Sequence, residues 1–242
     1  MSGRKRFFID TIDYPKTQEV ILDGDEFVLA KTVQRVEEGS EIILLDGSGQ
    51  EYTAIVAKVE KRSLTAHIIK AETGDREPNA DIYLLCGALK GDKTELVVQK
   101  ACELGASKIG IFSSEYCSAF MNENKLERLN KVAREAAKQC MRSRAPLIEY
   151  FDNLEDALQS AQNYNNKLFA CEFIATSESD ISTIDGSTAL VVGSEGGFSQ
   201  EEYALSESLG FSGITLGKRI LRAETAAISL LAVTAFALGE LK

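Results

Sequence analysis

Two glycine-bearing turns near the carboxy terminus hold the residue types best suited to chemistry. The first is Gly193-Ser-Glu-Gly-Gly197, which follows the apolar run Ala189-Leu-Val-Val192. The second is Leu216-Gly-Lys-Arg-Ile-Leu-Arg222, which leads into Ala223-Glu-Thr225 and a long apolar segment. Glycine lets a backbone come close to a ligand, and a turn that opens a helix presents free N–H groups, so the pair suits a nucleotide-like ligand. Arg219, Arg222, Glu224 and Thr225 crowd the head of the apolar segment, where polar groups need partners. Two readings follow: Arg222 pairs with Glu224 or Glu195, or these groups line a pocket. The Gly193 turn is neither a dinucleotide GxGxxG nor a P-loop.

Few other routes to catalysis are open. The single histidine, His67, lies in the strand-like Leu64-Thr-Ala-His-Ile-Ile69 and has no nucleophile to pair with. There is no tryptophan, and Cys86, Cys102, Cys117, Cys140 and Cys171 are far apart and odd in number. That pattern fits reduced thiols in a cytoplasmic protein, with neither a disulfide frame nor a metal site.

Positive charge is concentrated between residues 121 and 146, where the local balance is +4 in a chain of net charge −10. Arg128, Lys131, Arg134, Lys138 and Arg142 recur at helical spacing, which places them on one face. A single-sign face repels itself, and a phosphate backbone is its natural counterpart. Arg144 extends this run, and Arg4, Lys5 and Arg6 form a second basic cluster beside Phe7 and Phe8. The overall negative charge argues against indiscriminate nucleic-acid binding but leaves a local basic site open.

The elements that must position these groups change character along the chain. Residues 1–73 read as β-rich: 41–46, 52–59 and 64–69 are strands, 25–35 is a short helix, and tight turns between them suggest a small barrel. Thr73-Gly-Asp-Arg-Glu-Pro-Asn79 reads as a linker. Residues 74–242 then alternate strand and helix, predicting an α/β domain with a mostly parallel sheet. Strands are expected near 81–87, 108–112, 147–151, 167–172, 188–193 and 212–216, and helices near 92–104, 123–143, 153–163, 200–209 and 223–241. Asp92-Lys-Thr-Glu95 and Ser199-Gln-Glu-Glu202 have the form of capping boxes, and Gly105 and Gly210 stand where helices should stop. Neither the amino-terminal residues nor the apolar segment 223–238 reads as a signal peptide or a membrane span. The latter reads as a buried helix, and a subunit interface is one way to bury it.

Taken together, these segments resemble the RsmE family of S-adenosylmethionine-dependent methyltransferases. The likeness rests on Gly193-Ser-Glu-Gly-Gly-Phe198 with Leu216–Thr225, on Arg6-Phe-Phe8, on Lys90–Glu95 with Gln99–Gly105, and on Ala137–Pro146. Two positions depart from the family pattern: Ser194 stands where proline is usual, and Leu29–Arg35 keeps its arginine but not the family histidine. The resemblance implies a SPOUT (trefoil-knot) α/β domain that binds S-adenosyl-L-methionine and forms a homodimer, preceded by a PUA-like β-barrel that helps bind RNA. It implies methylation of N3 of one uridine in 16S ribosomal RNA of the small ribosomal subunit, with S-adenosyl-L-homocysteine as product and no metal or membrane involved. A methyltransferase of the same fold acting on another RNA, or an inactive RNA-binding assembly factor, are the alternatives.

On that basis Arg222 is the expected stabiliser of the uracil anion, and Glu195 the candidate to accept the N3 proton, to hold Arg222, or only to support a helix dipole. The cofactor is expected against Cys171, Glu172, Val192, Gly193, Ser194, Gly196, Gly197, Leu216, Gly217, Ile220, Leu221, Glu224 and Thr225. RNA contacts are expected from Arg4, Arg6, Arg35, Arg128, Lys131, Arg134, Lys138, Arg142 and Arg144.

Overall fold

The computed structural model describes residues 4–174, 177 and 180–242, so residues 1–3 of the expected first domain lie outside it. The chain divides into two units: Met1–Glu77 with Ala137–Ala145, and Pro78–Ala136 with Pro146–Lys242. The short segment Ala137–Ala145 thus belongs with the amino-terminal unit although it follows residues of the second.

In the first unit, β1 (Lys5–Phe8), β2 (Glu19–Leu22), β3 (Glu41–Leu45), β4 (Gln50–Val59) and β5 (Leu64–Thr73) form one sheet in the order β1-β3-β4-β5-β2. β1 runs parallel to β3 and the other pairings are antiparallel. A short helix, α1 (Gly24–Val28), continues through a wider turn to Val33. Inward residues from both edge strands (Phe7, Val20 and Leu22) join Ile42, Leu44, Tyr52, Ala54, Val56, Leu64 and Ala66 in one core. Edge strands that share a core require a curled sheet, here a half-barrel closed over Phe27, Ala30 and Val36. Register shifts in the β4–β5 ladder accommodate the bend.

The second unit alternates as expected. Its strands are β6 (Ile82–Gly87), β7 (Lys108–Phe112), β8 (Leu147–Phe151), β9 (Asn166–Ala170), β10 (Thr188–Val192) and β11 (Ser212–Ile214). Its helices are α2 (Lys93–Glu103), α3 (Glu123–Gln139, whose last turn falls in the first unit), α4 (Leu154–Ser160), α5 (Gln200–Ser208) and α6 (Ala223–Ala237). The sheet order is β11-β9-β10-β6-β7-β8 and every pairing is parallel. The central strands β6 and β10 are buried along their whole length, as strands covered on both faces must be. α4 covers one face over Tyr83, Leu85, Phe169, Ala189 and Val191, while α6 packs on β6, β10 and α2.

Helix ends test the local reading. Ser199 and Glu202 form a reciprocal capping box on α5. Gly105 and Gly210 take φ of 90° and 79°, the left-handed conformation that ends a helix. Asp92 is a correction: its side chain makes no cap, and Thr94 Oγ1 instead accepts from the Leu89 N–H at 2.9 Å. Glu95 is drawn away by Arg128, whose Nε lies 2.8 Å from its carboxylate. Among the described residues no helix is long and apolar enough to cross a membrane.

Candidate active site

Parallel strands bring their carboxyl ends to one edge of the sheet, and ligands bind such α/β sheets where the strand order reverses. Here the order reverses between β6 and β10, which brings the residues after β9, β10 and β11 together. They surround a cleft of about 940 Å³. Both glycine turns line it, so Gly193 and Gly217 share one cavity.

Backbone demands explain the glycines. The first turn is closed by Gly197 N–H donating to Ser194 O at 3.0 Å, with Gly197 at φ +70°. A Cβ on Gly193 would lie 3.0 Å from the Phe198 ring, and one on Gly196 would strike Tyr116 at 2.5 Å. Gly217 adopts φ +111°, a conformation essentially reserved to glycine, and faces open space. Among the described residues, the backbone N–H groups of residues 216–221 make no hydrogen bond, leaving a row of donors.

Cys171, Glu172, Val192, Gly193, Ser194, Gly196, Gly197, Leu216, Gly217, Ile220 and Leu221 all line the cleft, as do Glu195 and Arg222. The Glu172 carboxylate sits over Gly197. Glu224 and Thr225 are not in the lining: they belong to the first turn of α6. Glu224 is nonetheless tied to the cleft through Lys93, whose Nζ stands 3.5 Å from Glu224 Oε2. Lys93 is a wall residue that sequence reasoning overlooked, because its segment reads as a helix start and as part of the family likeness but not as part of the site. Phe173 and Ile174, just beyond β9, also line the cleft, and the apolar run after Leu168 was their only signal.

Electrostatics distinguish the two expected catalytic groups. Glu195 Oε1 accepts from the Lys90 N–H at 3.1 Å and lies 3.2 Å from Lys93 Nζ. Burial disfavours its charge, but these donors and its own amide outweigh that and hold its carboxyl below the ordinary value. Glu195 therefore pairs with Lys93 rather than Arg222. The Arg222 side chain is exposed and, among the described residues, has no hydrogen bond or ion pair. Neither pairing considered for Arg222 is formed.

The expected basic face is dismantled by the chain's own carboxylates. Lys138 is buried and holds Glu26 at 3.1 Å, and Arg142 is buried against Glu77 at 3.1 Å, beyond the end of α3 and after Met141 at φ +66°. Glu77 also accepts from Ser143 N–H at 2.7 Å and Arg144 N–H at 2.9 Å. Arg6 is buried in a two-bond pair with Glu51. Arg6, Lys138 and Arg142, all expected to contact RNA, are thus held in ion pairs within the first unit. Arg128 and Lys131 are exposed but paired with Glu95 and Glu127, Arg134 is exposed, and Arg4 pairs with Glu41 at 2.7 Å. Arg35, at φ +49°, and Arg144 are exposed. Among the described residues no cluster of side chains could hold a metal ion.

Comparison with known proteins places this geometry. Residues 76–235 match the family model described as an RNA methyltransferase domain, and residues 22–69 match an RNA methyltransferase PUA domain. The chain is similar to ribosomal RNA small subunit methyltransferase E of Mesomycoplasma hyopneumoniae, with 37% identity over 73% of this chain and 78% of that one. It is also similar to the Bacillus subtilis protein of the same name, with 30% identity over 89% of each. The crystal structure of that methyltransferase from Neisseria gonorrhoeae bound to S-adenosyl methionine superposes with a TM-score of 0.88, at 30% identity and covering 98% of each chain.

Proposed function

We infer the function of this chain from its family: it belongs to the RNA methyltransferases, within the small subunit methyltransferase E group. It methylates 16S ribosomal RNA of the small subunit using S-adenosyl-L-methionine, and the atom we assign is N3 of a uridine. The single observation that carries this reading is the shared cleft walled by both glycine turns, with the unpaired N–H row of residues 216–221 along one side.

The residues fit the cofactor. The cleft has the volume for a nucleoside with an amino-acid arm, and such pockets run to several hundred Å³. The N–H groups of 216–221 and the backbone of Gly193 would hold its polar edges, while Val192, Ile214 and Leu216 give apolar walls. Glu172 and Glu195, both in the lining, supply negative charge for a sulfonium. When bound, the cofactor supplies an electrophilic methyl: the sulfur–carbon bond breaks onto sulfur, a bond to N3 forms, and S-adenosyl-L-homocysteine remains.

The protein's own part is orientation and charge. Arg222, uncommitted at the cleft, would place its guanidinium on a uracil carbonyl and stabilise the negative charge that develops as N3 gives up its proton. Glu195 is ionised through the neutral range and is our candidate to take that proton. The target base must leave its stack to reach the cleft. Arg4, Arg35, Arg128, Lys131, Arg134 and Arg144 are the exposed cations we assign to RNA.

Two further features belong to the same reading. The parallel order β11-β9-β10-β6-β7-β8 supports a trefoil-knotted SPOUT domain. Val233 and Phe236, 42% and 66% exposed on the otherwise apolar α6, support a homodimer formed through that helix. We place the enzyme in the cytoplasm, where small subunits are made. Incubating the protein with the cofactor and small subunits from cells lacking it, then analysing nucleosides by mass spectrometry, tests the proposal. N3-methyluridine is expected, and a methyl on any other base would refute the atom assigned.

A further inference from the structure

Glu195 and Glu224 belong to different motifs, one in the Gly193 turn and the other in the first turn of α6. One side chain reaches both. Lys93, the first residue of α2, holds Nζ 3.2 Å from Glu195 Oε1 and 3.5 Å from Glu224 Oε2. Glu224 Oε2 is buried with no hydrogen-bond partner, so this ammonium is its nearest compensation. On the function proposed above, we propose that Lys93 is a positioning residue that ties the Gly193 turn to the head of α6 and fixes the charge of Glu195 beside the cofactor.

The need for such a cation follows from the neighbours. Glu195 is faced by Lys93 of α2, by the Lys90 N–H before α2, by the Cys86 thiol of β6 and, across Lys93, by Glu224 of α6. The Cys86 thiol is pushed up to about 12, first by burial and then by the fields of Glu195, Cys117 and Glu224, so both carboxylates bear on one small volume. Two carboxylates sharing a site do not both stay ionised without a positive partner. A lysine serves because its flexible stem delivers a point charge between two separate oxygens. Held to Lys93, Glu195 also leaves Arg222 free for substrate. Lys93 touches neither reacting atom in this scheme, so its effect is indirect.

The test uses Lys93→Gln and Lys93→Arg in the full-length chain. Titration calorimetry with S-adenosyl-L-methionine and the pH profile of methyl transfer to small subunits are measured for each. K93Q is expected to bind the cofactor roughly tenfold more weakly, as loss of one member of a charged network does. It is also expected to move the acid limb of the profile to higher pH, because Glu195 loses the cation that keeps it ionised. K93R, which retains the charge, should recover most of both. A K93Q protein with wild-type cofactor affinity and an unmoved acid limb would overturn the inference, whatever its melting temperature. If instead the wild-type chain binds no S-adenosyl-L-methionine, the functional reading itself fails, and this inference with it.

Discussion

Lys93 Nζ lies 3.2 Å from Glu195 Oε1, and that contact decides how the cleft divides its labour. Glu195 is committed to α2, so Arg222, like Lys218 and Arg219 of the same lining, has no ion pair among the described residues, and Arg222 is the one that stands at the head of α6. Arg222→Ala should therefore leave cofactor affinity nearly unchanged if, as proposed, backbone groups hold the cofactor. Methyl transfer should fall by about 100-fold or more, the usual cost of removing a group that stabilises developing negative charge. Paired calorimetry and single-turnover rates check this, and a near-wild-type rate would remove Arg222 from the mechanism.

Gly217 should tolerate no side chain. At φ +111° an alanine carries backbone strain of about 1–3 kcal/mol, and its Cβ would project into the space the cofactor is proposed to use. Gly217→Ala is expected to weaken cofactor binding with only a modest loss of melting temperature. Unchanged affinity would show that the second turn is not part of the cradle.

Glu77 should matter for stability and not for cofactor binding. It receives Arg142, Ser143 and Arg144 within the first unit, and Arg142 is buried. Glu77→Ala removes an ion-pair partner of that buried guanidinium and should cost about 3 kcal/mol in denaturant unfolding. Cofactor affinity of the folded fraction should stay at the wild-type level.

Asp46 gives the fold an acid sensitivity. Burial opposes its charge, but Ser48, through its hydroxyl at 2.5 Å and its N–H at 2.9 Å, and the Tyr52 hydroxyl at 3.0 Å together hold its carboxyl below the ordinary 3.8. A lowered value means the contribution is complete above 3.8 and is lost as pH falls through the folded value. Asp46→Asn should therefore destabilise the protein by roughly 1–2 kcal/mol at neutral pH. The difference from wild type should shrink in unfolding curves taken well below pH 3.8.

Much of this architecture is legible in residue order because local and tertiary preferences agree. The alternation of β4 and β5, the Ser199 capping box and the helix-ending Gly105 and Gly210 each depend on neighbours a few residues away. The two glycine turns are legible for the same reason, since their strand-turn-helix context is local. What escapes is pairing across long separations. Nothing near Lys93 announces Glu195 and Glu224, which are brought to it by a parallel sheet. Likewise the spacing of Arg128 to Arg142 says nothing of Glu26 and Glu77, which pair with Lys138 and Arg142 from distant parts of the sequence. Helix α3 also ends at Gln139, short of Arg142, so the periodicity outran the helix.

The most direct test is a crystal structure of this protein grown with S-adenosyl-L-methionine. Density is expected for the whole cofactor between residues 193–197 and residues 216–221, with backbone N–H groups of the second turn donating to it and the methyl toward Arg222. Cofactor bound elsewhere, or a cleft filled only by water at saturating concentration, would contradict that expectation.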